Sequence, residues 1–195
     1  AILRGFSPNL YDKVSMGGNN DGVVTPRECS IQIIMNDRTF GGGARDWPGT
    51  KGVKYSGFVT IQRYTLGLRV IAEELIHVLQ DGHCGDIYGP SGMSSGFSTM
   101  SGGDTLHVDA WHKLQLAWSE PRIGSLRKAA SYVLPAAQRM DPLAPVILHD
   151  PNDARRNTNE FFVVEYRTTN TVRLGPGYDA DVADSGLVLW HVQQN

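Results

Sequence analysis

The pattern of apolar positions predicts a strand-rich N-terminal region followed by one clear helix. A short, apolar, β-branched run over 31–35 predicts a buried strand, and residues 53–64 predict one or two further strands. Apolar residues recur at helical spacing over 68–80 and cover a broad face, and Gly82 is a plausible end for that helix. Between the strands, the Gly- and Pro-rich stretch 41–52 is predicted to be a loop.

The second half of the chain reads as a loop, a helix and then a run of strands. The Gly- and Ser-rich stretch 82–103 has few apolar residues and is predicted to be a loop. Asp104 can cap a helix that continues to about residue 118, since Pro121 ends it. Further strands are predicted over 131–134, 146–149, 161–167 and 187–192. The order of these elements predicts an α+β fold.

Length and composition exclude several classes of protein but do not indicate a function. The chain has 195 residues, a formal net charge of −2 and 41% hydrophobic residues, which fits a single globular domain. It has no basic block and no apolar run of 18 or more residues, so we expect neither nucleic-acid binding nor membrane insertion. The first residue is Ala1 and a predicted strand lies near the last, so we expect a segment of a longer protein. Cys29 and Cys84 are compatible with one disulfide or with two thiols.

The segment 73–83 carries the residues that suggest chemistry. Glu73 and His77 are four positions apart, so on a helix they lie on one face, a turn apart. If the chain turns at Gly82, His83 can become a third ligand of the same ion. Catalytic zinc takes three protein ligands from His, Asp and Glu and keeps a position open for water. Glu74 is then placed to act as general base toward that water.

This spacing resembles the metzincin signature H-E-x-x-H-x-x-G-x-x-H, which is followed by a Met-turn. The Met-turn counterpart lies at 96–103 and contains Met100. Among such enzymes the chain most resembles the secreted immune-inhibitor-A-type metallopeptidases. The shared features, over about residues 19–192, are an Asp-x-Tyr at 86–88, the MSGG sequence at 100–103, a Trp-x-Lys-Leu pattern at 111–114, Glu-x-Arg at 165–167 and the strand at 186–191.

The resemblance implies a zinc endopeptidase domain with an active-site helix, a mixed sheet, a Met-turn and C-terminal strands. It implies one domain over 1–195, with an upper part to residue 83 and a lower part from 84. Met100 would form the floor beneath the metal. Tyr88 would donate a hydrogen bond in the transition state and Asp86 would contact a metal ligand, although both residues can equally well only complete a turn.

Two departures from the family pattern bear on activity. The first zinc-binding His is replaced by Glu73, and the Gly of the signature is replaced by Gln80. A set of two His and one Glu binds zinc in other hydrolases, but a carboxylate neutralises part of the metal charge and so weakens water activation. An altered but competent site and a degenerate site therefore both stay open, as does an error in the reported residue 73.

A second candidate metal site lies at 17–28. Against the calcium-loop pattern, Asn19, Asp21, Thr25 and Glu28 fall at ligand positions, and Gly22 falls at the required glycine. Position 1, normally Asp, is Gly17. A weak calcium site and a simple Asn-Asp-Gly turn both remain possible interpretations. The other histidines have no ligand spacing and are interpreted as surface, packing or structural residues: His107, His112, His149 and His191.

The sequence thus favours a secreted zinc endopeptidase that cleaves extracellular protein or peptide substrates by a metal-activated water. The cleft would accept an extended peptide, with zinc as cofactor and calcium as a possible second ion. One alternative is a lapsed pseudo-peptidase that serves as a binding or structural module. Another is an extracellular module that depends on calcium at the loop 17–28. Substrate preference and oligomeric state are not encoded in any pattern we find.

Overall fold

The computed structural model describes residues 8–25, 27–29, 32–36, 42–47, 54–62, 67–79, 84–87, 96–101, 106–137, 145–150, 152, 159–169, 179, 182 and 184–194. The chain forms two compact units, Ala1–Asp86 and Ile87–Asn195. The described residues of each unit form a four-stranded sheet and one α-helix, so the fold is α+β as predicted. No helix among the described residues is both long and apolar enough to cross a membrane.

The sheet of the first unit is built around one long strand. Its strands are β1 (Val23–Val24), β2 (Gln32–Met35), β3 (Gly42–Trp47) and β4 (Lys54–Gln62). Strand β4 pairs in parallel with β1 and β2 and antiparallel with β3, so the sheet is mixed. The strand β3 lies inside the stretch predicted to be a loop, because its backbone pairs with β4 despite the glycines at its start.

Helix α1 (Leu68–Val78) lies against β3 and β4. It begins at the predicted residue and ends slightly before the predicted end. Val78 is fully buried and packs against Val70, Ile71 and Leu75, which accounts for the helical period of the apolar residues. The same helix buries polar residues as well, and these belong to the candidate site.

The second unit has a sheet in the order β5 (Arg122–Gly124), β6 (Val146–Leu148), β7 (Glu160–Arg167) and β8 (Gly186–Gln193). Strands β5 and β6 are parallel, and the other two pairings are antiparallel. Helix α2 (Ala110–Gln115) packs on this sheet through Ala110, Val163 and Val192. Three of the four strands predicted after α2 are present, and the short β5 was not predicted.

Two predictions in this unit are wrong. Helix α2 is capped by Asp109 instead of Asp104, because the Asp109 side chain accepts the backbone N–H of His112. Residues 131–134 form no strand. Instead of pairing with another strand, they contact the Arg122 side chain, which stacks on the Tyr132 ring and donates to the carbonyl of Val133.

A buried ionic cluster occupies one end of the inner face of this sheet. Arg167 is fully buried and donates to both carboxylate oxygens of Asp179, with Nε 2.8 Å from Oδ2. It also donates to Glu165 at 3.1 Å, and the indole of Trp190 donates to the same Glu165 oxygen at 2.8 Å. The backbone N–H of His107 donates to Asp179, and Arg167 donates to the His107 carbonyl. The cluster therefore joins two strands to two irregular segments.

Removing the cation of this cluster should strongly destabilise the protein. In Arg167→Met, Asp179 and Glu165 stay buried without their counter-charge, so we expect the free energy of unfolding to fall by about 3–5 kcal/mol. Urea denaturation followed by tryptophan fluorescence measures this. Glu160→Gln is the matched control, because it removes a partner from the exposed pair with His191 and should cost under about 1 kcal/mol. Equal losses in the two variants would contradict the assignment.

Acid should weaken the same region through His107. Burial lowers the pKa of His107 from 6.5 to about 4, and the nearby positive charges of Lys113 and Arg167 act in the same direction, opposed by Asp179. Between pH 6.5 and 4 the unfolded chain binds a proton at this residue that the folded chain does not, so stability falls as the pH is lowered. His107→Gln should flatten the dependence of the melting temperature on pH in this window. An unchanged slope in the variant would refute the assignment.

Candidate active site

Helix α1 carries three polar side chains of the predicted site on its last two turns. Glu73 and Glu74 are buried, and His77 is partly exposed. Arg69, Glu73 and His77 follow one another at four-residue spacing, so they lie along one face of the helix. The predicted juxtaposition of Glu73 and His77 on one face is therefore present.

The imidazole of His77 is held at both nitrogens. Nδ1 lies 2.7 Å from the carbonyl oxygen of Cys84, and Nε2 lies 3.1 Å from Oδ1 of Asp86. Both neighbours are acceptors, so the ring satisfies both only if each nitrogen carries a proton or if a cation replaces one of those protons. The carbonyl of Cys84 fixes the ring orientation in the way that outer-shell partners orient metal-binding histidines.

The distance between His77 and Asp86 can be compared with the distance between two ligands of one zinc ion. Two atoms bound to one tetrahedral zinc at roughly 2.0–2.2 Å lie about 3.3 Å apart. The separation of 3.1 Å between Nε2 of His77 and Oδ1 of Asp86 is close to that value. Asp86 therefore contacts His77, the residue that was predicted to bind zinc, and the Cys84 carbonyl contacts the other ring nitrogen. Zinc binding by His77 stays a prediction.

Glu73 has a different partner from the one predicted. Its Oε2 accepts from Nη1 of Arg69 at 2.8 Å, and its side chain is almost fully buried. The guanidinium of Arg69 holds this carboxylate in place, and the assignment of Glu73 as a zinc ligand stays a prediction. Arg69 was not singled out from the sequence, although its position one turn before Glu73 was a usable signal.

One oxygen of Glu74 has no hydrogen-bond partner among the described residues. The side chain is buried, and the oxygen in question is Oε2. Burial raises the pKa of Glu74, the neighbouring carboxylates Glu73 and Asp86 raise it further, and His77 and Arg69 oppose the rise. A buried carboxyl group with a raised pKa and an unused oxygen is the arrangement expected of a general base.

The predicted calcium-binding residues form a turn. Most of their side-chain oxygens accept hydrogen bonds from N–H groups of the same segment. Both oxygens of Glu28 accept backbone N–H groups, from Asn19 at 3.0 Å and from Thr25 at 2.9 Å. Asp21 accepts from Val23 and from the Asn19 amide, and Gly22 has a φ of 85° that favours glycine. The buried Asp12, which was not predicted, accepts from Gly22. These bonds account for the turn, and the calcium assignment stays a prediction.

Met100 lies in the second unit in a 3-10 turn, Thr99–Ser101, and is fully buried. Its N–H donates to Oγ of Ser98, which in turn donates to Asp109 at 2.5 Å. Burial alone would raise the pKa of Asp109, but the bonds from His112 and Ser98 outweigh it and lower that pKa. The cap of α2 therefore also anchors the segment around Met100.

The remaining histidines have structural surroundings, as interpreted. His112 is buried against Asp109 at 2.7 Å, and His191 bonds to Glu160 and stacks on Phe162. His149 contacts the ring of Phe161. His107 belongs to the ionic cluster described above.

Several predicted site positions lie outside the described residues: Gln80, Gly82, His83 and Tyr88. Within the described ranges, no group of three or more His, Cys, Asp or Glu side chains is arranged to hold a metal ion. Cys29 and Cys84 are thiols that are not joined in a disulfide.

Comparisons with known proteins leave the family unidentified. No family model, no curated protein and no solved structure matches this chain.

The pairing of Arg69 with Glu73 can be measured by a double-mutant cycle. We expect a coupling free energy of about 1–2 kcal/mol between Arg69→Gln and Glu73→Gln, because each single variant leaves a partly buried charge without its partner. Thermal or urea unfolding of the four proteins, with zinc removed by chelation, gives the value. Additive effects of the two substitutions would show that the contact does not contribute.

Proposed function

We propose that the chain is the catalytic domain of a secreted zinc-dependent endopeptidase of the metzincin-like, immune-inhibitor-A type. The observation that carries the proposal is the pair of His77 and Glu74. The imidazole is oriented from Nδ1 with its Nε2 beside a carboxylate, and a buried carboxyl group with an unpartnered oxygen lies three residues before it. The order of the motifs along the sequence supports the same conclusion.

The ligand set that we propose is His77, Asp86 and His83. Asp86 has its oxygen at the metal-facing nitrogen of His77, while the carboxylate of Glu73 is engaged by Arg69. We therefore favour Asp86 over Glu73 as the oxygen ligand. In this proposal the positive charge of Arg69 offsets the negative charge of Glu73, so that Glu73 adds little to the negative charge of Glu74 and Asp86.

The proposed reaction is hydrolysis of a peptide bond. Zinc, when bound, polarises the scissile carbonyl and lowers the pKa of a bound water to about 7. Glu74 removes a proton from the attacking water, whose oxygen bonds to the carbonyl carbon. The C–N bond then breaks, and Glu74 delivers the proton to the leaving amine. Cys84 holds the His77 ring through its carbonyl, so that Nε2 keeps its direction during these steps.

A pseudo-peptidase is the second candidate, and one observation favours it. The Arg69–Glu73 ion pair occupies the helix position at which the family pattern has its first zinc-binding His. A carboxylate held by a guanidinium is less available to a metal ion, which weakens metal binding at this position. In that case the fold would serve as an extracellular binding or structural module.

Metal binding and proteolysis together test the proposal. We expect the purified chain, equilibrated with zinc and then freed of excess metal, to retain about one zinc ion. It should cleave an unfolded fluorogenic protein substrate, and chelation should abolish the activity. Glu74→Ala should retain zinc and lose activity by about a hundredfold or more, since it removes only the proton transfer. Mass spectrometry of the native protein and the cleavage assay give the two readouts.

Matched variants separate the possible ligands. Asp86→Ala should weaken zinc affinity, while Glu73→Gln and the exposed control His191→Ala should not. Zinc binding without proteolysis, or no zinc binding at all, would instead support the pseudo-peptidase. A Glu73→His variant that gains activity would identify the natural site as degenerate.

A further inference from the structure

We propose that residues 125–133 form a processing site for a serine endopeptidase specific for basic residues, which cleaves the Lys128–Ala129 peptide bond in the folded protein. The proposal is independent of the chain's own activity. It rests on the exposure of this segment, on the contacts that hold its two ends and on the protection of other lysines.

The segment is the longest continuously exposed stretch in the described residues. All nine residues are exposed and lie outside helices and strands, and Val133 is 84% exposed. The residues that follow the proposed bond, Ala129 and Ala130, are small. An endopeptidase binds its substrate as an extended chain of several residues, so a segment that is exposed and free of ladder hydrogen bonds is the first to be accepted.

The two ends of the segment are anchored to the same sheet. On one side, Gly124 at the end of β5 accepts the backbone N–H of His149, and β5 itself pairs with β6. On the other side, Val133 accepts from the Arg122 guanidinium, and Ala136 forms a bridge with Tyr166 of β7. A break between these anchors leaves both new ends attached to the folded unit.

The side chains near the bond favour Lys128 over its neighbour as the recognised residue. Arg127 is engaged by Asp150, with Nε 2.5 Å from Oδ2. Lys128 is exposed at the adjacent position. Trypsin-like enzymes bind the basic side chain that precedes the scissile bond in a pocket with an acidic residue at its base. The lysine is therefore the side chain presented to such a pocket.

The other lysines of the described chain are held in structured backbone. Lys54 lies in β4, and Lys113 is buried in α2, where it donates to the Ala137 carbonyl. Lys13 is exposed, but its carbonyl accepts backbone N–H groups from Met16 and Gly18, which holds the following bond in a tight turn. Lys128 differs from these three because it is exposed in a bend, where the N–H of Arg127 donates to Oγ of Ser125, and lies outside helices, strands and turns closed by backbone hydrogen bonds among the described residues.

The chemical step is a hydrolysis catalysed by the partner enzyme. Water adds to the carbonyl carbon of Lys128, and the C–N bond to Ala129 breaks. A carboxylate remains on Lys128 and an ammonium group on Ala129. The fragments 1–128 and 129–195 stay associated, because α2 and His107 on the first contact Val163 and Arg167 on the second.

Limited digestion of the native chain with a lysine-specific serine endopeptidase tests the proposal. We expect the first products to be residues 1–128 and 129–195, identified by intact mass, and to co-elute on a native sizing column. Lys128→Gln should slow the loss of intact chain by about tenfold or more, because the other lysines of the described chain lie in a strand, a helix or a tight turn and need local unfolding to be cut.

Two control variants sharpen the result. Lys13→Gln removes an exposed lysine that lies in a tight turn, and Arg127→Gln removes the neighbour that contacts Asp150, so both should be cut at the wild-type rate. Circular dichroism confirms that all variants are folded. The proposal is overturned by a first cut after any other lysine, by unchanged digestion of Lys128→Gln, or by separation of the fragments on the native column.

Discussion

The contact of Arg167 with Asp179 is the interaction on which the second unit depends. Asp179 also accepts the N–H of His107, and Arg167 returns a bond to the carbonyl of His107. These bonds fix the segment that enters α2 and therefore its cap at Asp109. Through the bond from Ser98 to Asp109, the same constraint reaches the buried turn around Met100. One guanidinium thus organises irregular backbone that the sheet alone does not hold.

The parts of the fold that depend on local periodicity were predictable. The start of α1 and the strands β7 and β8 follow from apolar spacing, because those segments bury one face. The strand β2 is present where it was predicted, but Ile33 and Ile34 are exposed, so the prediction of a buried strand was wrong. The parts that depend on a distant partner were not predictable. β3 exists because β4 is available to pair with its glycine-containing backbone, and Asp179 acquires its role from Arg167, twelve positions earlier.

The candidate site shows the same division. Helical spacing correctly predicted that Glu73 and His77 share a face, but it could not choose among the partners available to each side chain. Arg69 binds Glu73, and the backbone carbonyl of Cys84 orients His77. A contact with a backbone carbonyl cannot be predicted from residue types, because every residue has one. Spacing defines which groups can meet, whereas packing and charge balance decide which of them do. The catalytic proposal therefore depends on Glu74, one oxygen of which has no hydrogen-bond partner among the described residues.

The bond from Trp190 to Glu165 has a consequence for strand alignment. Trp190 lies opposite Val163, so its indole reaches diagonally to the next inward-facing residue of β7. A shift of β8 by one residue would turn its apolar side chains to the wrong face, and a shift by two would keep the faces but separate this donor from its acceptor. Leaving a buried carboxylate without its donor costs free energy. The bond from Trp190 to Glu165 therefore selects the observed register over the one shifted by two residues, which hydrophobic packing alone would not distinguish.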